Sequence, residues 1–138
     1  MAIKNASLVT APTSIAATGG TALAFTGLGI QNNSVKAVVT TDTDLRTRRS
    51  ILAKVKEARP NPNSIGGYTM QRNSIKISVP KLKTLPSGAQ VVANNYVMVE
   101  VGYDVETTPT EKQLLLDLGA QSCFDADLAP TLKDGSLD

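Results

Sequence analysis

The chain has no histidine and no tryptophan, a single cysteine, and only 4% aromatic residues. Without histidine the usual general base, the usual nucleophilic triad and the commonest metal ligand are missing. One cysteine excludes a zinc cluster, a CxxC redox pair and any disulfide within the chain. Cys123 is therefore expected as a buried reduced thiol, because a free cysteine behaves as a small hydrophobe, with a bond between copies as the alternative. No P-loop and no GxGxxG occurs, so the common phosphate cradles are absent. Asp125 and Asp127 form a close acidic pair that reads as helix capping rather than catalysis. These absences argue against an enzyme and against any cofactor. No apolar run reaches the length of a membrane span. Met1-Ala2-Ile3-Lys4 is not followed by a signal-peptide hydrophobic region, so export by that route is not expected.

What remains is 138 residues, 41% of them hydrophobic. That is enough for one domain with a core of its own, expected to span residues 1–138. With so few aromatics, burial must come from Val, Leu, Ile and Ala, which suits a thin sheet better than a deep pocket.

The charges are segregated. Between Arg46 and Lys83 there are ten basic residues and one acid, Glu57; the other hundred residues hold four basic and eleven acidic groups. The overall charge of +2 thus hides a segment near +9 and a remainder near −7. Such asymmetry points to a polyanionic partner, and phosphate makes nucleic acid the first hypothesis.

Along the chain, period-two patterns predict strands. Ser7–Thr10 and Thr13–Ala16 flank Ala11-Pro12 as a hairpin, and Thr21 to Thr26 is β-prone. Gln31 to Ser34 reads as a loop and Val35 to Thr41 as a strand. In Ser50 to Arg59, Ile51, Ala53 and Val55 share one face, and Ser50, Leu52, Lys54 and Lys56 the other. A long strand comes next, from Tyr68 to Val79, where Lys76 and Ser78 oppose Ile75, Ile77 and Val79. Pro80 is expected to stop the pairing, leaving Leu82 to Asn94 as a long connector around Pro86-Ser87-Gly88. In Asn95 to Val105, Val97, Val99, Val101 and Tyr103 point inward, and Tyr96, Met98, Glu100 and Gly102 outward.

Thr108-Pro109-Thr110-Glu111 is a capping box with proline at the first helical position. It predicts a helix to Cys123 or Phe124. Pro130 limits the acidic tail from Asp125 to a short helical turn. The helix carries Leu114, Leu115, Leu116, Leu118, Ala120, Cys123 and Phe124, more than one apolar stripe. Its own sheet would cover one side and a partner subunit the other. Strands followed by a helix predict an α+β antiparallel architecture. Lys54, Lys56, Lys76 and Tyr96 would share its open face, cations for phosphate and a ring for stacking a base.

Two stretches carry a family resemblance: Tyr68-Thr69-Met70 through Ile75-Lys76-Ile77-Ser78-Val79-Pro80-Lys81, and Asn95-Tyr96-Val97-Met98-Val99-Glu100. In their order and spacing the chain resembles the coat proteins of the small single-stranded RNA bacteriophages, the levivirus type. The resemblance implies an N-terminal β-hairpin, a five-stranded antiparallel sheet and C-terminal helices that interlock in a dimer. Leu114, Leu115 and Leu118 would then be dimer-helix residues. It implies an icosahedral shell of triangulation class three, found in the virion and assembled in the bacterial host cytoplasm. The loop Lys81 to Asn94, with Lys81, Leu85, Pro86 and Gly88, would govern assembly.

It also implies binding of a genomic RNA stem-loop on the inner sheet face, which in many relatives represses replicase translation. Lys76, Tyr96 and Lys56 match positions of that site. Leu52, Lys54, Met98 and Ser78 occupy positions where relatives carry other residues, which bears on hairpin specificity. A free single-stranded nucleic-acid-binding module is the alternative, and a structural or adhesion protein with a merely soluble basic face is a third reading.

Overall fold

The computed structural model describes Leu8, Thr10 and residues 23–135. The expected N-terminal hairpin, apart from Leu8 and Thr10, lies outside the described residues, as does the start of the Thr21 to Thr26 segment. The chain divides into two compact units, Gly20–Val105 and Met1–Gly19 with Glu106–Asp138.

The first unit is a five-stranded antiparallel sheet in sequence order. Its strands are β1 (Phe25–Gln31), β2 (Ser34–Val39), β3 (Ser50–Lys56), β4 (Gln71–Thr84) and β5 (Gln90–Tyr103). Every connection is a hairpin or loop between neighbours, as short antiparallel links require. The loop expected at Gln31 to Ser34 is a tight two-residue turn. Asn32 and Asn33 adopt φ of 47° and 60°, the left-handed pair that matches strand twist, which asparagine tolerates. In β1 the register shifts between Gly27 and Ile30, and Gly29 takes φ 99° there, a bulge that a side chain would strain.

Two expectations about β4 are corrected. The strand begins at Gln71 rather than Tyr68, and Tyr68 makes only an isolated bridge to Pro60. It also does not stop at Pro80. Pro80 pairs with Asn94, and the ladder continues to Thr84 opposite Gln90. The reason is position: β3 pairs with β4 only as far as Ser78. Beyond it β4 has one neighbouring strand, and an edge tolerates a residue that cannot donate. The expected long connector is accordingly a short turn. The Leu85 N–H donates to the Ala89 carbonyl and Gly88 N–H to the Leu85 carbonyl, both at 2.8 Å. Gly88 sits at φ 83°, which glycine alone reaches without cost.

Among the described residues only Val38 and Val39 are buried. The face expected to be core carries Val55, Ile75, Val79, Val97 and Val99, all exposed, Val97 to 54%.

In the second unit, α1 (Pro109–Ser122) ends near the expected position. Its capping box is formed: Thr108 Oγ1 accepts the Glu111 N–H at 3.3 Å, and Glu111 Oε2 accepts the Thr108 N–H at 2.8 Å. Then α2 (Ala129–Asp134) is the short turn of helix that Pro130 permits. Asp125 Oδ1 accepts the N–H groups of Asp127 and Leu128, a turn-stabilising role in place of chemistry. No α1 residue is buried, and Leu115 and Leu116 are 41% and 49% exposed. Cys123 is exposed rather than buried. It sits just past the last residue of a helix that buries nothing, so the rule that thiols sit inside finds no interior there.

Candidate nucleic-acid interface

In an antiparallel ladder, residues directly opposite project to the same face. The register therefore sorts every strand residue. Leu52 of β3 faces Lys76 of β4, which faces Met98 of β5. In the next row Ser50 faces Ser78, which faces Tyr96. On the other side Lys54, Ser74 and Glu100 form one row, and Lys56, Arg72 and Gly102 another. All seven residues singled out from the sequence, Leu52, Lys54, Lys56, Lys76, Ser78, Tyr96 and Met98, thus lie on one face within four adjacent rows.

The geometry has two centres. At one, the Lys76 ammonium sits 4.4 Å from the centroid of the Tyr96 ring, a cation–π contact. Tyr96 remains 60% exposed, with Met98 at 54% beside it. One side of the ring is occupied by the ammonium; a base stacking on Tyr96 takes the other side or displaces Lys76. At the second, a shallow cavity of about 420 Å³ is lined by Asn32, Asn33, Lys54, Lys56, Arg72 and Glu100, among others. Three cations and one carboxylate share this end of the face.

Sequence reasoning missed Arg72, Ser74 and Lys36 as members of the face. The signal was there for two of them: Arg72 and Ser74 precede Lys76 by four and two residues, so alternation alone places them beside it. Lys36 pairs with Leu52, and no pattern within β2 reveals that partner.

Not all ten basic residues join this face. Lys81 and Lys83 pair with Ala93 and Val91 and project to the opposite one. The arginines between β2 and β3 are tied to acids just upstream. Arg49 Nε and Nη2 donate to Asp42 Oδ2 and Oδ1 at 2.9 and 2.8 Å, and the Arg49 N–H adds a third bond at 3.0 Å. These bonds hold the Asp42 carboxyl at about 2, well below its ordinary value. Arg46 grips Asp44 with Nε and Nη2, which lowers that carboxyl too. Arg48 Nε donates to the Asp42 carbonyl at 3.2 Å. Asp42 and Asp44 fall just outside the Arg46–Lys83 window, which is why its charge excess overstates the free cations.

The assembly residues are placed differently than expected. Lys81 belongs to β4, while Leu85, Pro86 and Gly88 form the tip of the β4–β5 hairpin. On α1, Leu114 and Leu118 are half-buried and Leu115 is exposed. No group of His, Cys, Asp or Glu among the described residues could hold a metal.

The sequence matches no family model and no curated protein. Solved structures do match. The subunit of the virus-like particle of bacteriophage GQ-907 is 28% identical over 99% of this chain and 100% of its own, with a TM-score of 0.80. That of Beihai levi-like virus 21 is 16% identical, covering 81% of this chain and 84% of its own, at 0.62. That of bacteriophage AVE019 is 10% identical, over 83% and 86%, at 0.65. The last two establish likeness of fold alone. The first spans the whole of both chains, so the resemblance drawn from two short stretches extends along the entire sequence.

Proposed function

We propose, on the premise that this chain shares its fold with the levi-like phage coat proteins and matches one of them end to end, that it is the structural subunit of an icosahedral virus shell. The observation that carries the proposal is the end-to-end match to the GQ-907 particle subunit. The protein then belongs to the virion and assembles in the host cytoplasm, residues 1–138 acting as one coat-protein domain. Its role is mechanical, and no catalytic group is asked of it.

The folding unit is a dimer. Two features support this. β5 is a 14-residue edge strand of the sheet, an open row of backbone donors and acceptors that a second copy can pair. The helices bury no residue within the single chain, so a partner is needed to cover their leucines. Leu114, Leu115 and Leu118 are the contacts proposed there. Dimers then build a triangulation-three shell, with the hairpin tip Leu85–Ala89 adapting between its different vertices.

The shell's inner surface is the Lys54, Lys56, Arg72, Lys76 and Tyr96 face, and its partner is single-stranded genomic RNA. The cations neutralise phosphates, and the exposed ring of Tyr96 offers a stacking surface for an unpaired base in a stem-loop. Occupation of one such stem-loop would also repress translation of the replicase encoded beside it. Met98 lies beside Tyr96 on β5, and Leu52 lies two strands away beyond Lys76; both are apolar, so base discrimination there rests on shape and stacking more than on polar readout.

Negative-stain microscopy of the purified protein, with sedimentation, tests the reading. Megadalton closed particles containing RNA are expected. A monomer or small oligomer that binds single strands would instead identify a free nucleic-acid-binding module.

A further inference from the structure

Lys81 and Lys83 are basic residues of β4 for which the RNA face has no use. They project from the opposite side of β4, facing Ala93 and Val91, and both are exposed. Among the described residues neither side chain has a hydrogen-bond or ion-pair partner. They also stand on a projection. After Ser78 the sheet narrows to two strands, and Val79–Thr84 with Gln90–Asn95 continue as a ribbon past the end of β3. Six residues at about 3.4 Å each carry it roughly 20 Å outward. It is braced on its other face, where Arg46 Nη1 donates to Gln90 Oε1 at 3.4 Å. A cationic pair held on a braced arm, away from its own sheet, is placed to meet another molecule.

The chain itself supplies the complementary surface. Between residues 106 and 135 there are six acids and two lysines. Asp134 is exposed in the last turn of α2, where the helix's own carbonyl ends disfavour an acid. Asp127 is half-exposed, and its backbone N–H is engaged by Asp125.

Resting on the shell reading, we propose that Lys81 and Lys83 dock on the acidic helical segment of another copy. Contacts between dimers are then electrostatic and separate from the RNA face. The shell draws on two cation sets, one turned to phosphate and one to carboxylate. Raising salt weakens both, but only the second responds to charge reversal on the helices.

The test compares full-length wild type, Lys81→Glu with Lys83→Glu, Asp127→Lys with Asp134→Lys, and all four changes together. Dissociated dimers are reassembled with genomic RNA and counted by light scattering and microscopy. Each reversal alone is expected to cut particle yield by at least about tenfold, and the combination to recover it, since like charges suppress a docking that opposite charges steer. RNA retention on filters should be unchanged by the two lysine reversals. Wild-type-like assembly of either reversed pair, no recovery in the combination, or a loss of RNA binding from the lysine reversals would each overturn the proposal. Where a reversed pair fails to fold, Lys81→Gln with Lys83→Gln replaces it; assembly of that variant must become less salt-dependent than wild type, the remainder coming from the RNA face, and an unchanged dependence counts against the docking. Failure of wild type itself to form particles would sink the shell reading instead.

Discussion

At the scale of single residues, the ladder register turns a set of basic positions into a surface. Lys54 and Lys56 contribute because they alternate onto the same face as Lys76 and Tyr96. Each phosphate contact to a single strand contributes about 0.7 to the slope of log affinity against log salt. Changing both lysines to Gln should therefore flatten that slope by about 1.4 in filter binding. An unchanged slope would move the RNA site elsewhere. Tyr96→Ala should weaken binding of a looped strand by roughly 1–3 kcal/mol, whereas Tyr96→Phe should retain it, because stacking needs the ring and not the hydroxyl. Asp42 makes a separate prediction. Its carboxyl falls from 3.8 to about 2 on folding, so the ionised form is favoured in the folded state. The clasp on Arg49 thus stabilises fully above pH 3.8 and is lost as pH falls toward 2. A carboxyl titration by NMR should place Asp42 near 2 in the wild type and higher in Arg49→Gln, which loses the guanidinium bonds but keeps the backbone N–H of residue 49. A normal midpoint in wild type would refute the clasp.

At the scale of elements, the β4–β5 hairpin differs most from what the sequence suggests. Its tip is five residues, Leu85–Ala89, closed by two backbone bonds; the rest of the expected connector is paired strand. Replacing Pro86-Ser87-Gly88 by Asn-Gly should leave stable dimers, because a two-residue turn closes a hairpin readily. The shell should be altered in size or absent, because the tip is then too short to adapt between vertices. Particles of normal size by electron microscopy would remove this loop from assembly. The Asp42–Arg49 connection is the opposite kind of element, a loop fixed by ion pairs at both ends of its acidic turn.

At the scale of the whole molecule, burial is the guide. A chain with two buried hydrophobic residues among those described has not finished hiding its apolar surface, and large exposed apolar areas mark interfaces. Folding coupled to dimerisation gives an unfolding midpoint that rises with protein concentration. Leu115→Asp and Leu118→Asp should each destabilise by several kcal/mol if the side chain lies within the dimer, since an isolated charge is buried there. Equal solubility, dimer content and melting temperature in both variants, or a midpoint independent of concentration, would count against the dimer.

The sequence by itself determined the strands with clean alternation, the capped helix and the composition of the basic face. These depend on local chemistry: period-two patterning and the reach of Thr108 and Glu111 across one turn. It misjudged Pro80, because whether a proline ends a strand depends on whether a neighbour needs its N–H, and the end of β3 that would be that neighbour, Ser50, lies about 30 residues away in the chain. It misjudged Cys123 for the same kind of reason, since burial belongs to the surroundings and not to the thiol. Only the tertiary structure decided which cations act together. Arg72 and Lys36 were assigned by register, Lys81 and Lys83 were turned to the other face, and Arg46 and Arg49 were engaged by Asp44 and Asp42. Charge is written in the residues, but where it is available is set by pairing across strands, which no local pattern encodes.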